Sequence, residues 1–397
     1  MRNIIITGGE LFNKGAQAMV FVAVDELKKR FPDHEIYVLS EMDRRRPKEE
    51  LAQYAFLFTG WYPIKFAKAQ SDPFLRLSCK LKGGAAFRAC EELYRSCDLM
   101  VNVSGYGLGS NFGPNQLRTY VEHLEFAKAF HIPVYLMPQS FGPFDFSGEK
   151  KSVAERLPEL LGSVKLICAR EQEGLDALRE NFGLTNVCLL PDLVLNNRGI
   201  ELEHVFRETK ALSVPDIPDN CVGLVPNQRI VEAIGMEEAL RLYTAAIGAV
   251  LRQGHKVCIL SHASVDLPLC KKLKACFESD DRVILLEQDF NCLEFNELVK
   301  RFPFLIASRF HALVHAYKNA VPCIAIGWAV KYQNLLKTFE QERFAFAVGD
   351  GLQEESLDCA IERLSETCRE EAERIRQHLQ AIQENNVFDV LELDKEK

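Results

Sequence analysis

Short apolar runs alternate along the chain with longer stretches whose apolar positions fall three and four residues apart. The first pattern suits strands buried on both faces and the second suits amphipathic helices. Their regular alternation is the signature of β-α-β units that build a parallel sheet. In the first half, strands are predicted at 3–7, 35–39, 98–103, 133–137, 164–169 and 186–190, with helices at 16–30, 116–130 and 171–181. Residues 44–97 lack this regularity and read as helical and loop-rich.

Turn residues then interrupt the series at Asn196-Asn197-Arg198-Gly199 and across 214–220. A second alternating series follows, with strands at 222–225, 256–260, 283–286, 305–307 and 322–326 and helices at 236–252, 268–277 and 310–318. The pattern predicts an α/β fold with two Rossmann-like, doubly wound domains facing across a cleft, residues 1–200 and 201–350. A charged helical tail, 351–397, carries an apolar face that needs a partner and is expected to pack back on the domains. Ligands of such sheets bind beyond the carboxyl ends of the strands, so the loops after strands should carry the chemistry.

Composition narrows the classes. At 47% hydrophobic and 26% charged, the 397 residues have a globular balance. The net charge of -8 excludes a general nucleic-acid binder, because a phosphate lattice would repel most of the surface. The 13 cysteines are odd in number, scattered and without a C-x-x-C pair. Several lie inside apolar runs, where a thiol acts as a small hydrophobe, so reduced thiols in a cytoplasmic protein are expected. The apolar run at 4–6 is too short for a signal-peptide core, and no stretch reaches the roughly 18 apolar residues of a membrane span. A soluble protein is expected, one still able to work at the inner face of a membrane on a lipid-linked substrate.

Three loops of the first half follow predicted strands. Thr7-Gly8-Gly9, continuing through Asn13-Lys14-Gly15, opens the first helix, where glycines permit close approach and free amides favour an anion. Its spacing matches neither the dinucleotide fingerprint nor a Walker loop. Ser104-Gly105-Tyr106-Gly107 forms a second glycine-rich rim on which Tyr106 can stack against a sugar. Pro138-Gln139-Ser140-Phe141-Gly142-Pro143 is a stiff turn suited to presenting Gln139 and Ser140 to a cleft. Any one of these loops also reads as a plain connection; their shared sheet edge gives them weight.

The second half holds the strongest constellation, Ser308-Arg309-Phe310-His311, at the end of a strand and the start of a helix. Ser308 is placed to cap that helix, Arg309 to grip a carboxylate or phosphate through two donors, and His311 to move a proton near neutral pH. The i, i+4 spacing of His311 and His315 would also allow a metal, but no H-E-x-x-H glutamate lies between them, and no metal is expected. Arg229, after the strand at 222–225, supplies another cation, and Ser261-His262 occupies the equivalent place after the next strand.

Together these segments resemble the polysaccharide pyruvyl transferase family. The matching pieces are Gly8-Gly9 with Asn13-Lys14-Gly15, the glycine loop from Ser104, Pro138 to Pro143, and above all Ser308-Arg309-Phe310-His311 with Pro322 and Lys331-Tyr332. The family pattern commonly has Leu where this chain has Phe310, which keeps an apolar side chain. The resemblance implies two facing Rossmann-like domains similar to the GT-B glycosyltransferase arrangement. It also implies transfer of a pyruvyl group from phosphoenolpyruvate to saccharide hydroxyls, without a cofactor, in surface or exopolysaccharide biosynthesis. His311 and Arg309 then inherit catalytic roles, and Arg229, Ser308, Lys331, Ser261 and His262 would line the donor site. Gly9, Asn13, Gly15, Ser104, Gly105, Tyr106, Gln139 and Ser140 would face the acceptor. A GT-B glycosyltransferase using a nucleotide sugar is the nearest alternative, and a non-catalytic sugar- or anion-binding protein of the same fold is the other.

Overall fold

The computed structural model describes residues 2–60, 91–209, 211–327, 330–348 and 354–393, with isolated positions between 61 and 90. The first sheet is built from β1 (Asn3–Thr7), β2 (Glu35–Leu39), β3 (Leu57–Thr59), β4 (Cys97–Asn102), β5 (Tyr106–Leu108), β6 (Val134–Phe141), β7 (Leu166–Ala169) and β8 (Val187–Leu189). Its order is β3-β2-β1-β4-β6-β7-β8, with β5 paired to β6 off this path. The second sheet contains β9 (Cys221–Val225), β10 (Lys256–Leu260), β11 (Val283–Leu286), β12 (Leu305–Ala307), β13 (Cys323–Gly327) and β14 (Ala345–Ala347). Its order is β11-β10-β9-β12-β13-β14. Strands pair in parallel, as the uniformly apolar runs demand: all five residues of β1 and of β9 are buried.

Alternate residues of β1 serve opposite layers. Ile4 and Ile6 join a large apolar cluster that also takes in the second sheet, while Ile5 belongs to a separate cluster on the other face. Helix α1 (Lys14–Arg30) lies in the large cluster, with Met19 through Val24 buried, and so is packed on both sides. A long helix, α2 (Glu354–Ile382), ties the domains together. Arg252 pairs with Asp358 near its start. At its last residue and just beyond, the Ile382 and Asn385 carbonyls each accept from Asn196 Nδ2 at 2.7 Å, and Asn386 Nδ2 donates to Glu26 at 2.7 Å. Among the described residues no helix is long and apolar enough to cross a membrane.

β6 corrects one expectation. The strand does not stop at Met137 but runs through Pro138 to Phe141. Proline cannot donate to a ladder, and the register against β7 slips between Leu136 and Gln139, which accommodates it. β3, β5 and β14, of three residues each, were not predicted.

In both sheets the strand order reverses once. β2 and β4 flank β1, and β10 and β12 flank β9. The loops leaving β1 and β4 and those leaving β9 and β12 are therefore the switch-point loops, where crevices open in such folds.

Candidate active site

Ser308 follows β12 and is fully buried. Its N–H donates to the Val225 carbonyl (2.9 Å), its Oγ accepts from the Tyr243 hydroxyl (2.8 Å), and its carbonyl accepts from Asn227 Nδ2 (2.7 Å) and the Tyr332 hydroxyl (2.9 Å). The capping role expected of Ser308 is corrected: Arg309 is the N-cap of helix Phe310–Lys318, and its side chain makes no capping bond. Ser308 is instead the bolt that fixes the strand end.

From that bolt three successive side chains leave in different directions. Arg309 reaches the loop after β10, where Nε donates to Asp266 Oδ2 at 2.8 Å and Nη2 bonds Oδ1. Asp266 is buried and also accepts from the Gln228 N–H (2.9 Å) and the Ala263 N–H (3.1 Å), so its charge is well satisfied. Phe310 faces the first domain, where the Arg170 guanidinium sits 4.4 Å from its ring centre. His311 lies on the start of α1. A Cβ on Gly15 would come within 2.3 Å of His311 Nδ1, so only glycine admits the imidazole there.

The start of α1 is thus part of the site. Asn13 caps it, its Oδ1 accepting from the Gly15 N–H at 2.9 Å, and its backbone forms an antiparallel bridge with Ala263. The buried Lys14 side chain crosses to Asp289 at 2.8 Å, and Gln17 Oε1 accepts from the Cys292 N–H at 2.7 Å. His262 is buried among these groups, and both of its ring nitrogens lack hydrogen bonds. Burial pushes its pKa well below 6.5, and the charges of Lys14, His315, Arg309 and His311 press the same way. His315, with Nδ1 3.2 Å from Asn296 Oδ1, is lowered chiefly by burial as well. In a protein of net charge -8, a knot of charged and imidazole side chains gathers where the two switch points meet: Lys14 and Arg309, each paired with a carboxylate, beside His262, His311 and His315. No metal-holding group of three or more His, Cys, Asp or Glu side chains occurs among the described residues.

The remaining candidates divide. Gly9 permits helix packing, since its Cβ would meet Val20 at 2.3 Å. Gly105 has φ +64 and stands against Met19. The Ser104 N–H donates to Asn102 Oδ1 at 3.1 Å. Tyr106 donates from its hydroxyl to the Gly142 carbonyl (2.7 Å), accepts from Asn111 (2.7 Å), and meets Phe112 edge-on. Gln139 is a correction: it is fully buried, bonded to Tyr120, Asn102 and the Met137 carbonyl, and does not face the cleft. Ser140 accepts from Arg170 Nη2 at 2.8 Å and donates to Glu171 at 2.9 Å. Ser261 is buried beside His262. Arg229 is 66% exposed and pairs with Glu232 at 2.7 Å, so the structure does not bring it into the knot. The Lys331 side chain lies outside the described residues.

Two residues were missed. Arg170 directly follows the strand ending at Ala169, one position nearer to its strand than Arg309 is to β12, and its buried side chain is held by Glu171 (2.9 Å) and Asp192 (3.0 Å). Asp266 gave no comparable signal, because its partners Arg309 and Gln228 lie far along the chain.

Solved structures share this architecture across nearly the whole chain. A UDP-GlcNAc 2-epimerase from Methanocaldococcus jannaschii aligns at TM-score 0.54 with 15% identity, over 91% of this chain and 92% of that one. UGT71G1 of Medicago truncatula, complexed with UDP-glucose, aligns at 0.54 with 12% identity, over 98% and 95%. MnaA of S. aureus in a co-structure with UDP gives 0.55 and 12%, over 98% and 92%. At such identities the likeness is one of fold: two Rossmann-like domains in the GT-B arrangement. No curated protein matches. A family model for polysaccharide pyruvyl transferase matches residues 13–329, from the cap of α1 to just beyond β13, and the chain belongs to that family.

Proposed function

We propose that this transferase moves the pyruvyl group of phosphoenolpyruvate onto hydroxyls of a saccharide, forming a ketal, in surface or exopolysaccharide biosynthesis. The observation that carries the reading is the meeting of Lys14, Arg309 and His311 around buried His262 in an acidic protein. Phosphoenolpyruvate is a small, highly charged anion that suits these cationic donors. Arg309 commits two donors to Asp266, which holds its guanidinium rigid with donors remaining for the anion. His311 delivers a proton to the methylene carbon, leaving an oxocarbenium-like centre at the adjacent carbon. A sugar hydroxyl adds there and gives up its proton. Phosphate departs with the electron pair of its carbon–oxygen bond, and a second hydroxyl closes the ketal. The cations offset the developing charge without a metal or organic cofactor.

Cysteines among the described residues are free thiols, which supports a reducing, cytoplasmic setting and is compatible with a lipid-linked acceptor at the inner membrane face. The test is a thermal-shift titration with phosphoenolpyruvate and, separately, UDP-sugars, followed by phosphate release in the presence of candidate acceptors. Stabilisation by phosphoenolpyruvate alone, with acceptor-dependent phosphate release, is expected. Stabilisation by UDP-sugars alone transfers the site to a glycosyltransferase reading, and binding of either without turnover transfers it to a non-catalytic binder.

A further inference from the structure

The charged knot accounts for the donor, yet the glycine loops expected to face the acceptor are spent on packing and on bonds within their own domain. A different part of the interdomain cleft is open. A cavity of about 330 Å³ lies between the loops after β7 and β8 and the helix Val330–Thr338, with Phe310 in its wall. The Phe310 and His311 ring centres are 5.4 Å apart, so this wall is one ring away from the proton donor. A larger cavity of about 470 Å³ runs past Gln53, Arg207 and Glu294, but none of the site residues lines it.

Charge separates this cavity from the donor site. Arg170 and Lys337 face Glu171, Glu173 and Asp192, and Arg170 is already held by two of those carboxylates. A second strongly anionic group gains little there. Hydroxyl groups gain more, since carboxylates have spare lone pairs for O–H donors and Asn334 adds an amide beside Glu173 (2.8 Å). Leu189, Pro191 and Leu335 supply apolar patches for the C–H faces of a ring. Both domains contribute walls, and Ser140 braces Arg170 from behind.

We infer that this cavity is the acceptor subsite and takes a neutral saccharide, with its hydroxyls toward Glu171 and Glu173 and its reacting edge toward Phe310. The inference rests on the pyruvyl-transfer reading for the identity of the transferred group, but the sugar site itself is tested by binding. Leu189, 46% exposed, and Thr338, also exposed, stand on the cavity rim in opposite domains. Leu189→Trp and Thr338→Trp would each fill it from outside without entering the core. Saturation-transfer NMR on the full chain, with methyl glycosides of glucose, galactose, mannose and N-acetylglucosamine as probes, reads sugar contact. Phosphoenolpyruvate binding to the same samples is read by calorimetry. At least one glycoside should give a signal with the unmodified chain, reduced at least about tenfold in both variants, while phosphoenolpyruvate affinity stays within about twofold. No glycoside signal in the unmodified chain, or an undiminished signal in both variants, overturns the inference. Loss of phosphoenolpyruvate binding in the unmodified chain instead removes the donor reading and leaves the sugar result standing.

Discussion

The switch points of the two sheets occupy equivalent positions and do opposite work. Apart from Lys14, which joins the charged knot, the chain after β1 and β4 offers glycines and short polar side chains that are consumed by contacts inside the protein: Gly9 against Val20, Gly105 against Met19, Ser104 on Asn102. After β12 it offers Arg309 and His311, held rigid by Ser308 and Asp266 beneath them. One loop set makes room and the other fills it, as Gly15 and His311 show most directly. Glycine after a strand is thus as good a sign of an approaching domain as of an approaching ligand.

The largest effect should come from the side that fills. His311→Gln keeps a polar group of similar reach but cannot deliver a proton as a cation. Acceptor-dependent phosphate release should fall by roughly 10²–10⁴-fold, with the melting temperature within about 3 °C of the unmodified chain. Turnover within tenfold would take the proton from some other group and dissolve the contrast between the loops.

Gly15→Ala strikes the same point from the other domain. A methyl group 2.3 Å from His311 Nδ1 must displace the ring or the helix start. A loss of turnover on the order of 10²-fold is expected from the misplaced donor, with about 1–3 kcal/mol of stability lost to overpacking. Gly9→Ala creates an equally close clash, at 2.3 Å with Val20, yet touches nothing in the charged knot. Urea titrations and kinetics on both variants should show comparable destabilisation but only Gly15→Ala crippled in kcat. Equal kinetic losses would mean that Gly15 matters only for folding.

Gln139→Leu asks whether the buried turn is architecture alone. It strips partners from the Tyr120 hydroxyl and from Asn102. About 1–3 kcal/mol should be lost in urea unfolding, while kcat and KM hold for the folded fraction. A raised KM for the saccharide would restore Gln139 to the acceptor site.

Strands β1 and β10 and helix Met236–Arg252 fall where the pattern of apolar and polar positions puts them. β5 was not legible, because Gly107 breaks its short apolar run, and β14 was missed although residues 344–348 are all apolar. Arg309 and His311 stood out through type and position together. Arg170 also stands at a strand end but lacked a second polar group with an evident task, and the side chain that Asp266 holds lies 43 residues away. Gln139 misled because a proline usually ends a strand, whereas here a slipped register carries the strand past it. Side-chain type at a strand end is a property of sequence; which domain it meets is a property of the fold.

The smallest effect concerns the charge knot itself. His262 and His315 are neutral in the fold, because burial holds both below the ordinary 6.5 that the unfolded chain retains. Below about pH 6.5 the unfolded chain therefore binds protons that the folded chain refuses, and stability falls as pH drops. Each histidine contributes up to about 1.4 kcal/mol per pH unit in that range. His262→Leu removes one contribution and abandons no hydrogen bond, since neither ring nitrogen has one and Phe295 already packs edge-on against the ring. Urea midpoints measured from pH 7.5 to pH 5 should decline less steeply in the variant, with little difference at the upper end. Parallel curves would show that His262 takes up its proton in the fold, which the positive groups around it oppose. Added phosphoenolpyruvate sharpens the comparison: an anion seated among Lys14, Arg309 and His311 relieves that opposition, so the unmodified chain should lose less stability on acidification when the ligand is bound.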